Sequence, residues 1–377
     1  MILDIGRYRE KEVTVDVDNL LNSHVALIGT SGCGKSVQCQ RMICSAVKQG
    51  GTVCIFDSHN TFADDQIFWK YKDFLSQNIK EINAEKAGIL CDLFTPLQYA
   101  DGTMEDPIDT VGALTNVLEQ ALRLGCMQKA EIRHAIQTVY ENQLFEEMGI
   151  AAIDLVLSEM DGKRTKELRE KLYPLTAHNV FRPGSQLLEN GKINIFRLSR
   201  YDLATQEIIM EILLSYIWRL ANAGQFQNKL FVFVDECQNL ASGKNSVLAQ
   251  MLSEGRKFNI SLMLATQLIS EGSMSVVQHR MTQCGLMLYF RPAGDKVNAT
   301  ARLIDSNNER DWSKCLRQLG VGEFIAVGSF RIDGRPKNGA IKVSAVETKE
   351  PLQKPVVEKK IEGGRGTVTM YEWLDQK

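Results

Sequence analysis

The 377 residues carry 44 Lys and Arg against 46 Asp and Glu, a formal net charge of −2, and 44% of them are apolar. A chain of this length buries a large core as one big domain or two smaller ones, and its near-neutral balance excludes a nucleic-acid coat, so any polyanion contact must be local. No run approaches 18 apolar residues and the opening MILDIGRYREKEV lacks an apolar leader core, so the sequence predicts a protein with no membrane span.

In chain order, the first informative stretch is HVALIGTSGCGKSVQCQR, residues 24–41. His24–Ile28 reads as an apolar strand and the residues from Val37 through Cys44, Ala46 and Val47 as a helix. Between them GTSGCGKS fits G-x-x-x-x-G-K-[ST] at every fixed position. Strand, glycine loop and helix N-terminus make a concave anion site in which backbone N–H groups face phosphates. The expected nucleotide-binding residues are Gly29, Thr30, Ser31, Gly32, Cys33, Gly34, Lys35, Ser36 and Val37. Lys35 is expected to reach the β- and γ-phosphates of ATP, and Ser36 to ligate Mg²⁺. Cys33 reads as a spacer, with a redox brake on ATP binding as the alternative.

Further strands are predicted at Thr52–Asp57, Ile193–Leu198, Leu230–Asp235, Ile260–Thr266, Gly285–Phe290 and Gly322–Gly328. Alternating with helical patterns, they imply an α/β core with a mainly parallel sheet covered on both faces. From Pro96 to Gly184 the period changes. Val111–Leu124, Lys129–Glu147, Ala152–Met160 and Thr165–Val180, the last interrupted at Pro174, carry apolar residues at helical spacing, which reads as an all-helical insertion. The expected division is residues 1–95 and 191–346 for the core, 96–190 for the insertion and 347–377 for a tail with little periodicity. Nine cysteines without a C-x-x-C pair fit reduced thiols in a cytosolic protein, not a disulfide framework or a zinc site.

The second chemical motif is KLFVFVDECQN, residues 229–239, a buried strand that delivers Asp235 and Glu236 to its C-terminal edge, the side where α/β sheets bind ligands. Asp235 is expected to hold Mg²⁺ through water and Glu236 to polarise the attacking water. Acidic residues that merely cap the next helix are the alternative. In SEGRKFNISLMLATQ, residues 253–267, the strand ends at Gln267, whose amide is placed to report the γ-phosphate, whereas Arg256 and Lys257 precede the strand at the edge away from their own nucleotide. An N-K-x-D base reader and an L-S-G-G-Q stretch are both missing from the sequence, which argues against GTPase and ABC classes. Only 110 residues follow Gln267, too few for a second motor domain.

Taken together, HVALIGTSGCGKS, VCIFDSHNTF, FVFVDECQNL, LSEGRKFNISLMLATQ and QCGLMLYFRP, spread over roughly residues 20–340, resemble the HerA/FtsK class of ring-forming P-loop ATPases, closest to HerA-type DNA translocases and helicases. The resemblance implies a RecA-like core, a hexameric ring with double-stranded DNA held without sequence preference in its pore, ATP at subunit interfaces, and a nuclease or other effector as partner. It implies that Asp57 lies near the γ-phosphate and that Arg256 is an arginine supplied in trans, with Arg291 in reserve. FDSHN departs from D-P-H-G-E and DECQ from D-E-A-H, and about 22 residues precede the loop strand, too few for the family's N-terminal β-barrel. Lys244 in ASGKNS is a candidate for DNA contact, and Lys163, Arg164 and Lys166 read as an exposed helix face. The alternative function is an assembly or secretion-type ATPase that organises a protein partner without moving DNA.

Overall fold

In a computed structural model the described residues are 1–160, 162–184, 187–240, 243–244, 246–267 and 276–345. The tail expected at 347–377 lies outside them. The chain opens with a hairpin of β1 (Ile2–Tyr8) and β2 (Lys11–Asp16), followed by β3 (Val25–Ile28), α1 (Lys35–Val47), β4 (Thr52–Asp57), α2 (Trp69–Asn78), β5 (Ile79–Asn83), the single turn α3 (Ala84–Ala87) and β6 (Ile89–Leu90). Five helices come next, α4 (Pro107–Ala121), α5 (Cys126–Glu141), α6 (Leu144–Met148), α7 (Ala151–Ser158) and α8 (Lys163–Ala177), and β7 (Phe181–Arg182) pairs with β6 to close their neck. After β8 (Ile193–Arg197) come α9 (Leu203–Asn222), β9 (Leu230–Val234), α10 (Val247–Glu254), β10 (Ile260–Thr266), α11 (Val276–Met281), β11 (Leu286–Tyr289), α12 (Val297–Ile304), α13 (Glu309–Arg317), β12 (Glu323–Ile332) and β13 (Arg335–Ser344). Met1–Ala345 form one compact unit.

Eleven strands form one sheet in the order β13-β1-β2-β12-β11-β3-β10-β9-β4-β8-β5. From β11 to β5 every pairing is parallel, and from β13 to β11 every pairing is antiparallel. The parallel strands are apolar along their length because both faces are covered. In β9, Leu230, Val232 and Val234 join the core under α4–α10, while Phe231 and Phe233 join the core under α1 and the β1–β2 hairpin. That alternation is the period of two a pleated strand imposes.

The hairpin is a finding the sequence pattern does not announce. Its strands bury Leu3, Ile5, Val13 and Val15 at alternate positions, but its turn places Arg9 and Glu10 at φ of 47° and 65°, with none of the Asn-Gly chemistry that marks such a turn. At Gly6 (φ +127°) the strand bulges, and a Cβ there would lie 2.4 Å from the Ser344 carbonyl oxygen. β12 pairs with both β13 and β2, so β12, β13, β1 and β2 close into a small antiparallel ring of strands.

Two expectations about the helices are corrected. The segment expected as one helix from Lys129 to Glu147 breaks between α5 and α6, where Gln143 sits at φ 55°. Helix α8 runs through Pro174 without interruption. A proline inside a helix costs about 3 kcal/mol, but Pro174 lies in the last turn, and fully buried Leu168, Leu172 and Leu175 each contribute about 1.5–3 kcal/mol.

Candidate nucleotide site

The parallel register brings the C-terminal ends of the strands into one line. Ile28 of β3 is level with Thr266 of β10 and Tyr289 of β11, Val234 of β9 is level with Phe56 of β4, and Asp57 is level with Arg197 of β8. The residues that follow therefore lie along one sheet edge: Arg291, Gly29–Thr30, Gln267, Asp235–Glu236, Asp57 and Arg197. The loop is anchored to both neighbouring strands, because Gly29 N–H donates to the Thr266 carbonyl (3.2 Å) and Thr30 N–H to the Arg291 carbonyl (3.1 Å).

Gly34 stands at φ +103° directly before α1, and a Cβ there would approach the Gly322 nitrogen to 2.9 Å. Only glycine takes this backbone and this neighbour together. Lys35 is buried, and its Nζ donates to the Gly29 and Thr30 carbonyls at 2.8 and 3.0 Å. Ser31 and Gly32 are exposed, Thr30, Ser36 and Val37 are half-buried, and Gly32 has no atom within 4 Å of an added Cβ. The Cys33 thiol donates to the Thr30 carbonyl at 2.8 Å, and burial pushes its pKa up, which favours an unreactive spacer over a redox-active thiolate.

Asp235 accepts a hydrogen bond from Glu236 N–H (3.0 Å). Burial, and then the adjacent Glu236 charge, push its carboxyl above the ordinary range, against the pull of Lys35 and His59. A half-buried carboxylate beside a second one is a place that a cation relieves, so the donor set fits Mg²⁺. Among the described residues no group of three or more His, Cys, Asp or Glu side chains could hold a metal. Mg²⁺ does not require one, since it is bound by one or two protein oxygens with water and substrate phosphates.

Glu236 adopts φ 48°, a left-handed backbone that turns its carboxylate toward Gln267, whose Nε2 donates to it at 2.5 Å. Gln238 donates to the other carboxylate oxygen and accepts from Thr266 Oγ1 at 2.6 Å. Thr266, Gln238, Glu236 and Gln267 thus form one hydrogen-bonded chain across β9 and β10. Sequence reasoning missed Gln238, although it stands two residues past Glu236 in KLFVFVDECQN.

Asp57 sits on the same edge, where the turn that follows β4 engages it. Its carboxylate, 2% exposed, accepts from Thr61 N–H (2.8 Å) and Phe62 N–H (3.3 Å) and pairs with Arg197. Arg197 also pairs with Glu81 and donates to the Phe62 carbonyl at 2.9 Å. Asp57 and Arg197 thereby hold the 58–62 turn at Thr61 and Phe62, and His59 on this turn acts electrostatically on Asp235. Nothing local in the sequence links Asp57 to a partner 140 positions on.

Arg256 lies in the 3₁₀ turn Gly255–Phe258, at the other end of β10, and its exposed guanidinium donates to the Leu21 carbonyl at 2.9 Å. Seven residues of strand separate it from Gln267, about 20 Å at the usual rise per residue. The alternative for Arg256, a helix-end arginine pairing with Glu254 or capping carbonyls, is met in its second form by the Leu21 contact, and Glu254 pairs with Lys257 at 3.5 Å. Arg291, the reserve, lies on the opposite edge, beside its own phosphate loop. Lys244 is exposed, and Arg164 pairs with Glu131 at 3.2 Å.

A family model described as helicase HerA, central domain, matches residues 3–217. The chain belongs to this HerA family. Among curated relatives it is 21% identical to the probable helicase MJ1565 of Methanocaldococcus jannaschii, over 84% of this chain and 62% of that protein. It is also 21% identical to the DNA double-strand break repair helicase HerA of Saccharolobus solfataricus, over 86% of this chain and 66% of the relative. The chain thus spans slightly less than two thirds of the length of these curated relatives. Its fold is similar to VirB4 of Thermoanaerobacter pseudethanolicus, with a TM-score of 0.68 at 17% identity, covering 91% of this chain and 96% of the other. It is also similar to the plasmid coupling protein TrwB in complex with ADP and Mg²⁺, with a TM-score of 0.55 at 13% identity, over 88% and 87% of the two chains. The HerA chain is therefore a HerA/FtsK-type P-loop ATPase with a RecA-like sheet and a helical insertion.

Proposed function

We propose that the protein is an ATP-hydrolysing motor that works as a ring, most simply a hexamer, and acts on DNA. The observation that carries this reading is the separation along β10: Gln267 and the phosphate loop share one edge, and an exposed Arg256 stands at the other. A site of this kind has a nucleophile-positioning carboxylate and a γ-phosphate sensor, and Arg256 of its own chain stands too far along β10 to reach it. In a ring, the Arg256 edge of one copy faces the nucleotide of the next.

Binding ATP would draw Lys35 from the Gly29 and Thr30 carbonyls to the phosphate oxygens. Mg²⁺, held by Ser36 and through water by Asp235, would neutralise charge on the phosphates. Glu236 takes the proton of the attacking water, and Gln267 and Gln238 fix its carboxylate for that role. Because Gln267 is bonded to Glu236, loss of the γ-phosphate reaches β10 directly, which makes this strand the path from chemistry to movement. Arg256 of a neighbour would stabilise charge building on the γ-phosphoryl oxygens, a contribution of about 10³-fold or more in P-loop enzymes.

The DNA substrate is supported by the HerA relatives described as helicases. A nuclease or other effector partner follows from the same resemblance, in repair, transfer or defence against foreign DNA. The fold shared with VirB4 keeps one competing reading in view, an ATPase that organises a protein assembly. DNA-stimulated turnover supports the motor, and turnover indifferent to DNA supports the platform.

The test of the shared site mixes two inactive variants. Arg256→Ala and Lys35→Ala are each expected to lose nearly all turnover, Arg256→Ala while still binding ATP. Mixed rings contain interfaces with an intact Lys35 facing an intact Arg256, so activity returns in part. No recovery despite confirmed subunit mixing rejects the assignment.

A further inference from the structure

A groove of about 530 Å³ lies at the antiparallel end of the sheet, between β13, the β1–β2 turn and α13. β13 pairs with β1 only at Ser344 and Arg7. Beyond that pair the two strands diverge, and the groove follows β13 from Ser344 to Lys337, about 24 Å at the rise of an antiparallel strand.

Its lining is unlike the rest of this near-neutral chain. Arg7, Arg9, Lys337 and Lys342 supply four cations, and Tyr8 and Trp312 supply aromatic rings. The acid in the lining, Glu323, is engaged by Lys342 at 2.9 Å. Of the acids close by, Asp333 pairs with Lys11 at 3.9 Å and Glu12 stands across from Arg7 in the β1–β2 register without an ion pair to it. Among the described residues Arg7, Arg9 and Lys337 have no carboxylate partner, and the Arg9 guanidinium and Lys337 ammonium instead lie 5.2 and 6.0 Å from the centre of the Tyr8 ring. Like charges gathered around aromatic rings repel one another unless an anion is shared among them.

We propose that this groove binds a single-stranded nucleic acid, its phosphates on Arg7, Arg9 and Lys337 and its bases against Tyr8 and Trp312, an inference that rests on the reading of the protein as a DNA motor. The chemistry is that of sequence-tolerant strand binding, a cationic track with aromatic platforms. The length of the track exceeds one mononucleotide, and its aromatic rings suit an unpaired strand whose bases are free to stack. The groove is lined by residues of β1, β13 and α13 and by Glu323 of β12, none of them a residue of the nucleotide site, so it offers a second hold on an unpaired strand.

The test uses the full chain and a fluorescein-labelled oligothymidylate of about twenty nucleotides, followed by anisotropy across a salt series. Arg9→Ala/Lys337→Ala is expected to weaken binding about tenfold or more near ~0.1 M salt, and to reduce the slope of log K against log salt by about 1.4, at ~0.7 for each phosphate deprived of its cation. Arg9→Lys/Lys337→Arg restores both, and Trp312→Phe removes quenching of tryptophan emission by the oligomer. Arg9→Ala/Lys337→Ala leaves retention of a fluorescent ATP analogue unchanged, which separates the groove from the nucleotide site. An unchanged affinity and slope in the double alanine variant, with wild type binding the oligomer, overturns the groove and leaves the motor reading intact. Displacement by polyglutamate as readily as by unlabelled oligomer also overturns it, in favour of an acidic peptide. Failure of wild type to bind either single-stranded or duplex DNA overturns both.

Discussion

Replacing Glu236 by Gln removes one charge and keeps the shape of the side chain, so its effects can be separated. The carboxylate accepts from Gln267 on one oxygen and from Gln238 on the other. A Gln at 236 presents an oxygen to one of these amides and an NH₂ to the other, and Gln238 is not free to turn over because its own oxygen accepts from Thr266. Gln267, which is exposed, turns its amide to accept from that NH₂, so the substitution costs only about 1 kcal/mol. Part of this is returned, because Asp235 loses the like charge that raises its pKa. Fold stability should therefore change by no more than about 1 kcal/mol net, a shift of a few degrees or less in Tm. Turnover should fall by about 10²–10⁴-fold, the usual contribution of a positioned general base, with nucleotide still bound. Steady-state phosphate release, read beside retention of a fluorescent ATP analogue on a spin column, measures both. Turnover within about threefold of wild type would refute the assignment of Glu236 as the base.

Arg197→Ala strips the counter-charge from Asp57, which is buried, and should destabilise the fold by about 3 kcal/mol or more in urea unfolding; Asp57→Asn in the same background should recover part of the loss. Asp235→Asn should raise Tm in the absence of nucleotide, because it removes a carboxylate held above its ordinary range by burial and by Glu236, while turnover with Mg²⁺ collapses; a lower Tm contradicts the electrostatic account. His24 accepts from Leu262 N–H at 2.9 Å, and burial brings its pKa from 6.5 to about 4. Between these values the unfolded chain binds a proton that the folded chain refuses, so stability rises with pH through this window. Its contribution falls by about 2 kcal/mol from pH 7 to 5, at 1.36 kcal/mol per unit. Urea unfolding at the two pH values should show that extra loss in wild type and not in His24→Gln.

The strands that carry the site were legible because they are buried on both faces and read as short unbroken apolar runs. Thr52–Asp57 and Ile260–Thr266 appear with the bounds expected. What stayed hidden has three physical causes. β5, Ile79–Asn83, and much of β13 are half-exposed and polar, so neither carries an apolar run. The β1–β2 turn uses residues without a turn signature. The Asp57–Arg197 pair and the contact of Thr266 with Gln238 arise from strand order, which joins positions that sequence distance keeps apart. Asp235, Glu236 and Gln267 could be assigned roles from their motifs, whereas the hydrogen-bonded chain that links Glu236 to Gln267 could not.

The closed set of β12, β13, β1 and β2 also fixes an order of events at the ribosome. Arg41 of α1 pairs with Asp4 at 2.8 Å and donates to the Ala345 carbonyl at 2.7 Å, so the earliest strands and the latest backbone meet on one helix. A two-stranded hairpin alone is marginal in water, and β2 has no second partner until β12 emerges. At about 5–20 residues per second, that interval is roughly 15–65 s. For that time α1 can cover the apolar face of the hairpin, but the second edge of β2 stays unpaired and open to another strand.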